Sequence, residues 1–232
     1  MKRSASISSV ETWRGEVRIG VDALVLEGAL GIPAQAHGLV LFAHGSGSSR
    51  HSPRNRRVAE KVQRAGVATL LFDLLTSDEE RIDERTAELR FDIGFLASRL
   101  RLATDWAAQH ERTAGLPVGY FGSSTGAAAA LVAAAQRTDI GAVVSRGGRP
   151  DLADGALGDV RATTLLIVGG ADDAVIPLNE SAFAQLHCEK HLEIVPGATH
   201  LFQEPGALDQ VAELAAQWFA NHLSTERRSG HD

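Results

Sequence analysis

The pentapeptide Gly122-Ser123-Ser124-Thr125-Gly126 follows an apolar run, Val118 to Phe121, and opens an alanine-rich stretch. A serine on a sharp strand-to-helix turn is held in a strained backbone conformation, so the positions two before and two after it must lack side chains. Gly122 and Gly126 meet that demand for Ser124, whereas for Ser123 the same positions are Phe121 and Thr125. Ser124 is therefore the candidate nucleophile. A helix starting at Thr125 aims its amides and the positive end of its dipole at any oxyanion formed there. A serine hydroxyl attacks a carbonyl only with a base in reach. Of the nine histidines, His200 in Pro196-Gly197-Ala198-Thr199-His200-Leu201-Phe202 is best placed, after the last apolar run and before the last amphipathic stretch. His37 precedes a strand, His110 ends a helix, and His222 and His231 lie near the C-terminus. The base needs a carboxylate to orient it and balance its imidazolium. Gly169-Gly170-Ala171-Asp172-Asp173-Ala174-Val175 offers two; the spacing of Gly169, Asp172 and Val175 favours Asp172, with Asp173 as the alternative.

These residues need a scaffold that brings loop ends to one edge. Leu39 to Ala43, Val67 to Phe72 and Thr164 to Val168 are apolar runs too short for helices and bounded by Gly, Asp or Pro, as buried parallel strands are. Val118 to Phe121, Ile140 to Val144 and Leu192 to Val195 fit the same template. Between them lie helical patterns. Leu89, Ile93, Leu96, Leu100, Ala103 and Ala107 make one apolar stripe, and Leu208, Val211, Leu214 and Trp218 another. Ser52-Pro53 reads as N-cap and first residue of a helix running to about Arg64 and closed by Gly66. Strand and helix in alternation imply an α/β domain whose mostly parallel sheet is covered on both faces. Residues 16 to 30 alternate and break at Gly20, as antiparallel strands at the N-terminal edge would. Residues 76 to 88 read as a solvated loop and first helical turn, with a mobile flap as the alternative.

The chain has 232 residues, 44% hydrophobic and 22% charged, with a net charge of −6, which suits a single globular domain and argues against nucleic acid as a partner. No apolar run approaches a membrane span. The N-terminus lacks the apolar core of a secretory signal, and the single cysteine, Cys188, cannot form an internal disulfide, so a cytoplasmic setting is expected. The expected division is a loosely docked or disordered segment 1–12, one domain over 13–223 and a tail over 224–232. Only residues 145–163 separate two neighbouring strands, too few for a separate lid, so the site should be open and its substrate small.

Ser, Asp and His in that order resemble the α/β-hydrolase superfamily, and within it the small dienelactone-hydrolase-like proteins. The resemblance runs from about Glu16 to Leu223. It rests on His44-Gly45 after a strand, the 122–126 turn, Gly169-Gly170-Ala171-Asp172 and Gly197-Ala198-Thr199-His200-Leu201-Phe202. It implies an α/β-hydrolase fold without a cap domain, and a catalytic triad of Ser124, Asp172 and His200. It also implies an oxyanion hole made by the amides of Thr125 and of Ser46, the latter in the loop His44-Gly45-Ser46-Gly47-Ser48-Ser49. His44 should brace that loop. The chain departs from the dienelactone hydrolases proper in carrying Ser124 where those enzymes look to use cysteine, which weighs against lactones as substrates. Relatives of this kind sometimes occur fused to a phosphoribosyltransferase domain; no such domain is expected within this sequence.

Arg50, His51, Arg54, Arg56 and Arg57 crowd the start of a helix, where the dipole disfavours cations. Arg50 and Arg54, joined by Arg146 and with Arg149 nearby, are candidate substrate-binding residues for a carboxylate or phosphate; pairing with the acidic 76–88 stretch is the alternative. His187 and His191 lie four apart, but without the acid of an H-E-x-x-H motif no metal site is expected, nor any cofactor. The expected activity is hydrolysis of an ester, thioester or lactone bond in a small molecule through an acyl-enzyme. The alternatives are an acyltransferase or a non-catalytic binding module on the same fold. A homo-oligomer is compatible with either.

Overall fold

The computed structural model describes residues 12–21 and 24–223; the proposed end segments 1–12 and 224–232 lie, apart from Thr12, outside them. Eight strands form one sheet: β1 (Thr12–Val21), β2 (Leu24–Pro33), β3 (Leu39–Ala43), β4 (Ala68–Phe72), β5 (Val118–Ser123), β6 (Ile140–Arg146), β7 (Thr163–Gly169) and β8 (Lys190–Val195). Their order is β1-β2-β4-β3-β5-β6-β7-β8. β1 pairs antiparallel with β2, and β2 antiparallel with β4. From β4 to β8 every pairing is parallel, so each loop leaving a strand's C-terminal end emerges at the same edge.

The α-helices among the described residues are α1 (Pro53–Arg64), α2 (Ser77–Thr86), α3 (Ile93–Gln109), α4 (Thr125–Ala135), α5 (Ile176–Gln185) and α6 (Ala207–His222). Alternate side chains of the buried strands supply two apolar layers. Leu39, Leu41, Tyr120 and Val143 pack under α3, α4 and α5. Val40, Phe42, Phe121 and Val144 pack under α1 and α6. This period-two division lets a run without polar residues serve as a strand buried on both faces.

Three local readings differ from the sequence expectation. Gly20 does not break the edge strand; it pairs with Val25 inside the β1–β2 ladder. The polar stretch 76–88 is a helix, α2, entered through a capping box in which Thr76 and Glu79 each accept the other's backbone N–H. Leu89 does not begin the long helix: Leu89–Phe91 is a single 3-10 turn, and α3 starts after Asp92, whose side chain caps the Phe95 N–H at 2.9 Å. Between β6 and β7 there is a 3-10 segment, Pro150–Asp159, and no inserted domain.

Candidate active site

Ser124 stands between β5 and α4 with φ 51° and ψ −123°, a left-handed conformation that a non-glycine residue adopts at a cost of about 1–3 kcal/mol. The turn is so tight that a Cβ on Gly122 would fall 2.4 Å from the Ala127 Cα, and one on Gly126 2.3 Å from the Ala43 carbonyl oxygen. Neither position tolerates any other residue without moving backbone. The turn is held by the Ser124 N–H donating to the Arg146 carbonyl at 3.3 Å and the Arg149 N–H donating to the Ser124 carbonyl at 3.2 Å.

The loop after β8 carries His200 and the loop after β7 carries Asp172. Backbone bonds stitch the two loops together: the Gly170 N–H donates to Val195 and the Ala171 N–H to Ala198, at 2.8 and 2.9 Å. His200 Nδ1 lies 2.7 Å from Asp172 Oδ2, with the imidazole 37% and the carboxylate 11% exposed. A bond from Nδ1–H to that carboxylate leaves Nε2 free to accept a proton. Asp173 is exposed and makes no such bond. His200 also adjoins the Ser124 turn. The position of a Cβ on Gly147, next to Arg146, is 3.0 Å from the His200 carbonyl oxygen and 3.6 Å from its Nδ1.

The loop after β3 crosses the other side of the turn. A Cβ on Gly45 would sit 3.1 Å from the Ser124 Cβ. His44 braces this loop: its Nδ1 meets the Gly45 carbonyl at 3.0 Å, and its Nε2 accepts the Leu74 N–H at 3.2 Å. Both bonds form together only in the neutral Nδ1–H tautomer, and enclosure accordingly lowers the pKa of this imidazole. Thr125, the first residue of α4, has an amide with no intrahelical acceptor. The Ser46 amide already donates to Thr125 Oγ1 at 3.0 Å, an engagement the sequence did not signal.

Beside this loop lies a cavity of about 260 Å³ bounded by Ser46, Leu74, Thr125 and the inner side of α2, which presents Glu80, Asp83 and Glu84. Arg50, expected at an anion-binding rim, is spoken for: its backbone and guanidinium bond the Asp73 carboxylate, and Glu16 lies 3.6 Å from its Nε. Its partners are thus Asp73 and Glu16, outside the 76–88 stretch. Arg57 pairs with Asp209 and Arg149 with Asp151. Among the described residues no hydrogen-bond partner meets Arg54 Nε or Arg146 Nε and Nη1. His187 precedes β8 and His191 lies on it against Glu193, and no cluster of three metal-ligating side chains occurs among the described residues.

The eight-stranded order, the turn bearing Ser124 and the loops on one edge define an α/β hydrolase. Residues 26–225 match the family model described as "Dienelactone hydrolase family", and the chain belongs to that family. It is similar to the crystal structure of dienelactone hydrolase from Anabaena variabilis, with 60% identity and a TM-score of 0.90 over 91% of this chain and 99% of that one. The fold is shared with Est1E from Butyrivibrio proteoclasticus at 18% identity and a TM-score of 0.75, over 89% of this chain and 98% of that one. Two Mycobacterium tuberculosis proteins that carry the provisional name phosphoribosyl transferase are 57% identical over 93% of this chain. The chain spans about half, 48%, of the length of these curated relatives.

Proposed function

We propose that this chain is a serine hydrolase of carboxylic ester-type bonds (ester, thioester or lactone) in a small-molecule substrate, using Ser124, His200 and Asp172. One observation carries this reading: a strained Ser124 at a strand-to-helix turn shares a sheet edge with a histidine bonded at 2.7 Å to a carboxylate. In the first step His200 Nε2 takes the Ser124 hydroxyl proton as Oγ attacks the carbonyl carbon. The amides of Thr125 and Ser46 receive the oxyanion. For Ser46 this means giving up the Thr125 hydroxyl, so that hydroxyl acts as a placeholder in the resting enzyme. The protonated His200 returns its proton to the leaving alcohol or thiol. Water, deprotonated by the same nitrogen, then releases the acid.

Among the described residues no domain is inserted between β6 and β7, which fits an open site and a small substrate. No helix among the described residues is long and apolar enough to cross a membrane, and a cytoplasmic setting fits the single cysteine. Ser124→Ala should abolish the burst and turnover of 4-nitrophenyl acetate and block labelling by a fluorophosphonate, while leaving the circular dichroism spectrum unchanged. Turnover by the alanine variant at the parental rate would remove Ser124 from the mechanism.

A further inference from the structure

Arg146 is the last residue of β6, paired with Ser123, and its carbonyl holds the Ser124 N–H. Ala142 and Val144 face the α1/α6 layer, so alternation sends the Arg146 side chain to that face too. There it is only 7% exposed, and its Nε and Nη1 are buried with no hydrogen-bond partner among the described residues. Arg54, in the first turn of α1, likewise has a buried, unpartnered Nε. It lines a cleft of about 440 Å³ between the start of α1 and residues 202–209. Phe202 connects the two arginines: it lines the cleft beside Arg54, and its ring is 3.3 Å from a Cβ position on Gly147, the residue after Arg146. Of the carboxylates in the same cleft, Asp209 is engaged by Arg57, and Glu204 accepts the Thr199 hydroxyl through Oε1 while its Oε2 is buried without a partner among the described residues.

A buried charge without a partner opposes folding by several kcal/mol, so an enclosed guanidinium is ordinarily found with an anion. Burial first, and the neighbouring Arg54 second, push the Arg146 guanidinium down to about 10, which still leaves it charged at neutral pH. The first turn of α1 adds the positive end of a helix dipole and contains no acidic residue. Two guanidinium forks and a helix N-terminus match the oxygens and charge of a dianion, whereas a monoanion leaves one cation uncompensated. We propose that Arg54 and Arg146 form a binding site for a phosphoryl dianion beside the nucleophile turn. The dianion is either free inorganic phosphate or a phosphoryl group on the substrate; the second source rests on the esterase reading above, and the first does not.

The test uses the full chain near pH 8, where phosphate is mainly a dianion. Calorimetric titration with inorganic phosphate against chloride of equal ionic strength should show binding, and phosphate should raise Tm. Arg54→Met and Arg146→Met should each weaken binding about tenfold or more, the loss of a charge-assisted bond. Arg146→Met should melt no lower than the parent in phosphate-free buffer, because the uncompensated charge is gone. An arginine kept only for structure would lower Tm instead. Hydrolysis of the 4-nitrophenyl esters of 3-phosphonopropionate, succinate and butyrate separates the sources. A substrate phosphoryl group gives a kcat/KM preference for the phosphonate ester that both variants lose, with inorganic phosphate as a competitive inhibitor. Free phosphate as the ligand gives binding without that preference. Ser124→Ala should retain phosphate binding, so failure of the esterase reading is visible separately. A parent that binds phosphate no better than chloride, or binding that survives both substitutions, overturns the site.

Discussion

Asp172 and Asp173 differ in what they touch. Asp172 is 11% exposed and bonded to His200; its neighbour is exposed and makes no bond to that imidazole. In a triad the carboxylate fixes the imidazole tautomer and balances the imidazolium, and its conversion to an amide reverses the tautomer while preserving shape. Asp172→Asn should therefore lower kcat by about 10³–10⁴ with KM little changed. Asp173→Asn should leave kcat within about twofold, as an exposed substitution away from the reacting atoms does. Parallel steady-state kinetics on one chromogenic ester checks both, and comparable losses in the two variants would count against the assignment. The placement of Ser124, Asp172 and His200 in loops at one sheet edge was legible in the sequence, because each follows an unmistakable apolar strand, beside glycines that permit tight backbone contact. The fate of Arg50 was not legible, because its partner Asp73 follows β4 and meets it only when β3 and β4 pair. The bond from Ser46 to Thr125 is hidden for the same reason: it spans two loops brought together by the sheet.

At the scale of elements, α2 forms the outer wall of the cavity beside the loop that follows β3. It escaped the sequence reading because it has no apolar stripe. Ile82 is exposed and only Asp83 is buried, so periodicity had nothing to register; the Thr76-x-x-Glu79 capping box was the usable signal. What anchors α2 is polar. Asp83 accepts the Leu89 and Arg90 amides at 2.8 and 3.1 Å and the Arg90 Nε at 2.6 Å, and Glu79 pairs with Arg99 at 2.5 Å. Burial alone would raise the Asp83 pKa, but the bonds from Arg90 and Leu89 outweigh it and hold the carboxyl below its ordinary 3.8. A depressed carboxyl stabilises the fold at all pH values above the unfolded 3.8, and that contribution is lost as pH falls through the folded value. Hydrogen exchange should show the Leu89 and Arg90 amides losing protection on acidification below about pH 4, ahead of the β3 and β5 amides. Asp83→Asn should loosen the same amides already at neutral pH. If they keep pace with the central strands in both experiments, α2 is not held by this carboxylate.

For the whole molecule, the parallel half of the sheet gathers the loops bearing Ser124, Asp172 and His200 at one edge, and the loop after β3 joins that edge to global stability. His44 links the ends of two neighbouring strands: through its Nδ1 it holds the loop leaving β3, and through Nε2 it accepts the Leu74 amide just beyond β4. Both bonds need the neutral ring. Enclosure, the largest influence, keeps its pKa below 6.5 despite the opposing effects of the Gly45 carbonyl, Asp73 and Glu80. Above pH 6.5 the ring is neutral in folded and unfolded chains alike, so its contribution is complete. As pH falls below that value, the unfolded chain takes up a proton that the folded chain resists, and stability declines until the folded pKa is reached. One such proton corresponds to at most about 1.4 kcal/mol per pH unit. His44→Gln removes the titration while leaving every other histidine in place. The stability advantage of the parent over this variant, measured by urea denaturation, should therefore be largest at neutral pH and should shrink as the pH is lowered through 6 towards 5. An advantage that stays constant over that range would mean that His44 titrates alike in both states, and that its two bonds do not depend on a neutral ring.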